Sequence, residues 1–122
     1  MLELISNLPA HVVGVRAIGD VHKDDLENVL LPALEEQVAK FDAIYYLLLL
    51  ETDVKNWDLG AWLSDVKAGI KHLTKWTKIA VVTDQEGVQK FTDLFSKVTP
   101  GEARGYPLSE LEIATKWLSE KV

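Results

Sequence analysis

The side chains able to do chemistry in this chain are few and scattered. Asp53 and Asp58 lie five residues apart, Thr83 adjoins Asp84, and His11, His22 and His72 stand far from one another. General acid–base work needs carboxylates that converge and titrate apart, and nothing in the spacing of Asp53 and Asp58 supplies that. No H-x-x-x-H or H-E-x-x-H pair occurs, so a histidine metal site has no motif behind it. G-x-S-x-G, P-loop and G-x-G-x-x-G patterns are also missing. The absence of cysteine excludes disulfides, thiol nucleophiles and cysteine-held zinc or iron–sulfur. The pattern predicts no catalytic residues, no metal and no cofactor.

A binding surface is the better expectation. Thr52, Asp53, Trp57, Asp58, Thr83 and Asp84 fall just beyond two apolar runs, 43–50 and 78–83. If those runs are parallel strands, the residues gather at the carboxyl ends, where open α/β sheets bind ligands. Trp57 and Trp62 would wall a shallow cleft, with Asp58 and Asp84 as polar contacts. The competing reading makes both aspartates helix caps and packs the tryptophans on the core edge. Asp58, Trp62, Asp65, Gly69 and His72 form a polar stripe along one predicted helix. A glycine inside a helix costs about 0.5–1 kcal/mol relative to alanine. Gly69 is read either as the hollow of a partner or dimer face anchored by Trp62, or as packing against a neighbouring helix within the chain or a merely tolerated glycine. Lys67, Lys71, Lys75 and Lys78 form a basic streak, read as a solvated helix face.

The elements that must position these residues alternate. Residues 2–7 alternate as a half-buried strand, Pro9 breaks it, and 11–18 resume as a second strand of a hairpin. A helix over 23–40 follows, with Leu26, Val29, Leu30, Ala33, Leu34, Val38 and Phe41 on one face. Pro32 inside it predicts a kink or break near Leu31. The run 43–50 is apolar on both parities, as a central strand covered on both faces must be. Its cover is expected from the protein's own helix, the first helix crossing over, with a second subunit or a lipid-like ligand as alternatives. Helices over 58–73 and 87–97 bracket a strand at 78–83. An edge strand at 102–106 precedes a last helix, with Leu111, Ala114 and Leu118 inward and a Ser109–Glu112 capping box. The order β-β-α-β-α-β-α-β-α predicts an α/β fold, its sheet mostly parallel with an N-terminal antiparallel strand.

One domain over residues 1–122 fits the length of 122. A net charge of −6 argues against a nucleic-acid groove. The longest apolar run is eight residues, far short of the roughly 20 that span a bilayer. Glu3 and Asn7 sit where a signal peptide would be apolar, so a cytoplasmic location is expected.

Several segments carry a family resemblance: Leu31-Pro32-Ala33-Leu34-Glu35, Trp57-Asp58-Leu59-Gly60-Ala61, Lys67-Ala68-Gly69-Ile70-Lys71-His72, Ile79-Ala80-Val81-Val82-Thr83-Asp84, and Glu112 through Leu118. In this order they resemble the bacterial SpoIIAA-like family over nearly the whole chain. The resemblance implies a STAS-like β-α superhelix related to lipid-binding CRAL-TRIO domains, with no settled enzymatic activity. Anti-anti-sigma factors carry a phosphorylatable serine in an Asp-Ser-Ser-Gly turn. Here the turn reads Asn56-Trp57-Asp58-Leu59-Gly60, so the phosphoswitch does not carry over. Asp58 would put a permanent charge near that place. Relatives often show a tryptophan where this chain has Asp84-Gln85-Glu86-Gly87-Val88, which predicts a weaker aromatic patch there.

The combined expectation is a non-enzymatic regulatory or protein-interaction module, homodimeric, binding through Trp57, Asp58, Trp62, Asp65 and Asp84. The alternative is a carrier or sensor of a small lipophilic ligand.

Overall fold

Seven consecutive apolar residues, Ile44–Leu50, set the architecture, because both parities of that strand need cover. The computed structural model describes residues 2–18, 23–51, 75–83 and 102–120. Five strands form one sheet in sequential order: β1 (Leu2–Leu4), β2 (Val12–Ala17), β3 (Ile44–Leu50), β4 (Trp76–Val82) and β5 (Glu102–Tyr106). β1 runs antiparallel to β2, and every other pairing is parallel. The expected α/β fold with an N-terminal antiparallel strand is the one observed. The predicted helices at 58–73 and 87–97 lie outside the described residues.

The first helical segment breaks where Pro32 predicts. It comprises α1 (Lys23–Asp25), a π-helical stretch (Leu26–Leu30) and α2 (Leu31–Phe41), with Pro32 in the first turn of α2. Proline cannot donate to the carbonyl four residues back, and a π-type turn, which reaches one residue further, skips the missing donor. Asp42 closes α2 in the left-handed conformation, φ 55°, and donates its N–H to the Val38 carbonyl at 2.9 Å. Phe41 stands partly exposed, outside the apolar stripe expected to include it.

Two cores flank the sheet. On one face Leu30 and Leu34 pack on Val13, Val15, Ile44, Tyr46, Leu48, Leu50, Ile79 and Val81. On the other, α3 (Leu111–Ser119) sets Ala114 and Leu118 on Val12, Tyr45, Leu47, Leu49, Ala80 and Val82. The cover of β3 is thus the protein's own. The second face, however, is closed by the last helix rather than by the first crossing over. The register shifts between Ile44 and Tyr45, which face Trp76 and Lys78. The extra residue, Thr77, turns Trp76 to the α2 face, although Lys78, two residues on, faces α3.

Two local expectations are corrected. A 3₁₀ turn (Leu108–Glu110) precedes α3, beginning at Pro107, so Ser109 lies inside a turn and no side chain caps α3. Lys78 belongs to no solvated helix face. It is buried in β4 and donates to the Trp117 and Glu120 carbonyls at 2.9 and 2.8 Å. Lys75 pairs with Asp42 at 2.9 Å.

Candidate functional site

The five residues predicted to bind, Trp57, Asp58, Trp62, Asp65 and Asp84, lie outside the described residues, as do Thr52, Asp53, Gly69 and His72. Of the loop cluster, Thr83 is described. It is buried, and its N–H donates to the Tyr106 carbonyl at 2.9 Å. Among the described residues, no three His, Cys, Asp or Glu side chains gather as a metal site. No helix among them is long and apolar enough to cross a membrane.

What the described residues do build is a groove between the β1–β2 connection and α3. Ile5 extends the hairpin by donating its N–H to the Gly14 carbonyl at 2.9 Å. Asn7 then adopts φ 66°, a left-handed turn that asparagine tolerates better than most residues. Pro9 accepts from the Val12 N–H at 2.9 Å, which brings the chain back into β2. The detour lays Leu8 over Gly14. A Cβ on Gly14 would stand 2.5 Å from Leu8 Cδ1, so any side chain there would have to push the end of Leu8 aside. Leu47 and Leu49 form the floor, and Leu111 and Thr115 form the opposite wall. Thr115 turns its hydroxyl back to the Leu111 carbonyl at 2.9 Å, which leaves its methyl to the groove. The cavity is about 320 Å³ and open along one side. It continues along α3 past Pro9, Glu112, Lys116 and Ser119.

The rim is charged. Arg16 lies on the floor's face of β2 and meets Glu51 through Nε at 2.8 Å and Nη2 at 2.7 Å. The Glu51 hydrogen bond and charge raise the Arg16 guanidinium above its ordinary pKa. Glu3 stands opposite Arg16 in the β1–β2 register and adds a second carboxylate. Apolar floor, polar rim and an open side suit the capture of an apolar group. Among the described residues the lining brings no base up to a hydroxyl and no acid and base into a pair.

A polar anchor holds α3 in place behind the groove. A helix C-terminus leaves its last carbonyls unpaired and carries partial negative charge. Lys78 serves two of those carbonyls. His11, buried and 4.9 Å edge-on from Tyr45, presents Nε2 to the Leu118 carbonyl at 3.2 Å, where it must donate. Lys78 and Arg104 also flank the Trp117 ring at 5.0 and 4.6 Å from its centroid. Along the sequence His11 stands isolated, and Arg16, Leu8 and Thr115 belong to no motif. The signals available were Gly14 and Arg16 on one parity of an otherwise apolar strand, and Pro9 forcing a detour.

The sequence profile of the SpoIIAA-like family matches residues 12–119. Arg16, Leu47, Leu49, Leu111 and Thr115 fall inside that span, whereas the groove wall from Glu3 to Leu8 precedes it. No curated protein and no solved structure matches the chain. With the parallel sheet, the antiparallel N-terminal strand and a match over most of its length, the chain belongs to the SpoIIAA-like family and has a STAS-like fold.

Proposed function

We propose that this SpoIIAA-like chain is a non-enzymatic regulatory or protein-interaction module, one domain over residues 1–122, working in the cytoplasm. The supporting observation is the open groove, whose floor of Leu47 and Leu49 is buried on the sheet while its mouth stays open. An apolar side chain of a partner fits such a floor, and Glu3, Arg16 and Glu51 can fix its orientation. The proposed contact patch includes Trp57, Asp58, Trp62, Asp65 and Asp84. We expect Trp62→Ala to weaken an assembly while leaving a folded monomer. An unfolded variant would return Trp62 to the core.

The second reading is a carrier or sensor of a small lipophilic ligand. The same groove favours it, since about 320 Å³ reaches the low end of small-molecule sites. Against it, both faces of β3 are filled by the chain's own side chains. Native mass spectrometry of gently purified protein, repeated under denaturing conditions, separates the two. Complexes without extra small-molecule mass support the interaction module. A non-covalent mass of several hundred daltons that Leu8→Arg abolishes would overturn it in favour of the carrier.

A further inference from the structure

The outer edge of the sheet carries a hydrogen-bonding row that no other described strand pairs, and a charge pattern complementary to its own reverse. Tyr106 accepts from the Thr83 N–H at 2.9 Å and pairs with Val82. A strand residue's N–H and C=O point to one side, and successive residues alternate. Tyr106, Arg104 and Glu102 therefore turn their backbone groups to β4, and Ala103 and Gly105 turn theirs outward. Among the described residues β5 has one neighbour, β4, so that row points away from the sheet. Such edges template pairing with another chain unless they are blunted.

Glu102 and Arg104 are two apart and share one face of β5. Both are exposed, and within one chain they meet at 3.0 Å. A second copy laid antiparallel and centred on Ala103 sets each Glu102 opposite the partner's Arg104. The Ala103 backbone groups then bond reciprocally, as an isologous contact requires. Centring on Arg104 would oppose two guanidiniums, and centring on Gly105 would leave the charges unmatched.

The α3 flank adds a separate observation. Trp117 leans toward β5, its ring 6.3 Å from that of Tyr106 and beneath Arg104. Ile113, one turn earlier on the same flank, is 55% exposed. A two-fold axis normal to the sheet keeps both α3 helices on one side. The two Ile113–Trp117 flanks then approach across the charge cluster. They add apolar area that a five-residue edge lacks.

We propose that β5 pairs antiparallel with β5 of a second copy about Ala103, joining two sheets into one through reciprocal Glu102–Arg104 pairs and the Ile113–Trp117 flanks. This rests on the interaction-module reading and gives it a second surface, separate from the groove.

Sedimentation equilibrium over about 1–100 µM tests the pairing, the range in which modest interfaces dissociate. The wild type is expected to be a reversible dimer. Glu102→Arg sets like charges opposite one another and should weaken it about tenfold or more. Combining Glu102→Arg with Arg104→Glu restores opposite signs and should return the affinity to within about threefold. Ala103→Pro removes an outward N–H, costs no bond to β4, and should give a monomer. Circular dichroism checks that each variant is folded. If Ala103→Pro unfolds, the charge-swapped pair decides. A wild type that stays monomeric, or a dimer indifferent to Glu102→Arg, overturns the proposal. Neither result bears on what the groove binds, which native mass spectrometry reads separately.

Discussion

On the α2 face, Leu30 and Leu34 meet Ile44, Tyr46, Leu48 and Leu50 in an apolar contact, with Gln37 donating to the Ala10 carbonyl farther along the helix. On the α3 face, the helix is held as much by Lys78 and His11 on its C-terminal carbonyls as by Ala114 and Leu118 on the sheet. The first arrangement is filled over β3, with a hollow left at its edge beside Ala33, Glu36 and Gln37. The second leaves a groove beside the helix, because α3 is short and the β1–β2 connection stands off from it. Where the chain's own side chains fill the core, little apolar floor of the sheet is left for a partner. A face whose helix is tethered at one end can keep apolar floor exposed without losing the helix. The groove, the charged rim and the β5 flank all lie on this second side.

The largest expected effect sharpens the comparison from the α2 side. Leu34 is 1% exposed, and Leu34→Ala should cost about 3 kcal/mol in urea unfolding, from lost burial plus the cavity left behind. A cost under about 1 kcal/mol would mean that α2 settles into the gap and that the face is not close-packed. Next comes the tether. Lys78→Met keeps the aliphatic stem and removes two charge-assisted bonds. About 2 kcal/mol should be lost, and the loss should fall on α3.

A smaller effect is expected at Gly14. Gly14→Ala pushes Leu8 off β2 and should cost about 1 kcal/mol, the low end of overpacking, because Leu8 is free to swing toward solvent. Crystallography of the variant should show the groove reshaped and the α2 face untouched. The smallest effect has the opposite sign. Tyr46 is fully buried, 5.6 Å edge-on from Trp76, and its hydroxyl has no hydrogen-bond partner among the described residues. Burial pushes its ionisation far up, so it stays neutral. Tyr46→Phe removes an unsatisfied group and should be neutral or stabilising by up to about 1 kcal/mol. Destabilisation on that scale would reveal a partner for the hydroxyl and a less dry face.

How much of this was legible follows from how local each signal is. β3 announced itself, because an apolar run on both parities has few other uses. Pro32 marked the break in the first helix, since a missing donor acts at its own position. β5 was legible as an edge, with Glu102 and Arg104 exposed. The groove was not, because its walls come from residues 3–9 and 111–119, at opposite ends of the chain. Lys78 was misread because Lys67, Lys71, Lys75 and Lys78 keep a helical period into a stretch that is strand from Trp76. Ser109 matched a capping box that the 3₁₀ turn pre-empts, since Pro107 starts the helical path two residues earlier. The groove and Lys78 are contacts made across the fold overriding a pattern along the chain, whereas Ser109 is one local signal overridden by another.

Hydrogen exchange read by mass spectrometry, on the wild type and on Lys78→Met, tests most directly whether the two faces are held differently. The account predicts that the amides of α3 (Leu111–Ser119) lose protection by about thirtyfold in the variant, the ratio that about 2 kcal/mol corresponds to. Those of α2 (Leu31–Phe41) should change far less. Equal loss in both helices would contradict it, because α3 would then rise and fall with the whole fold rather than on its own tether.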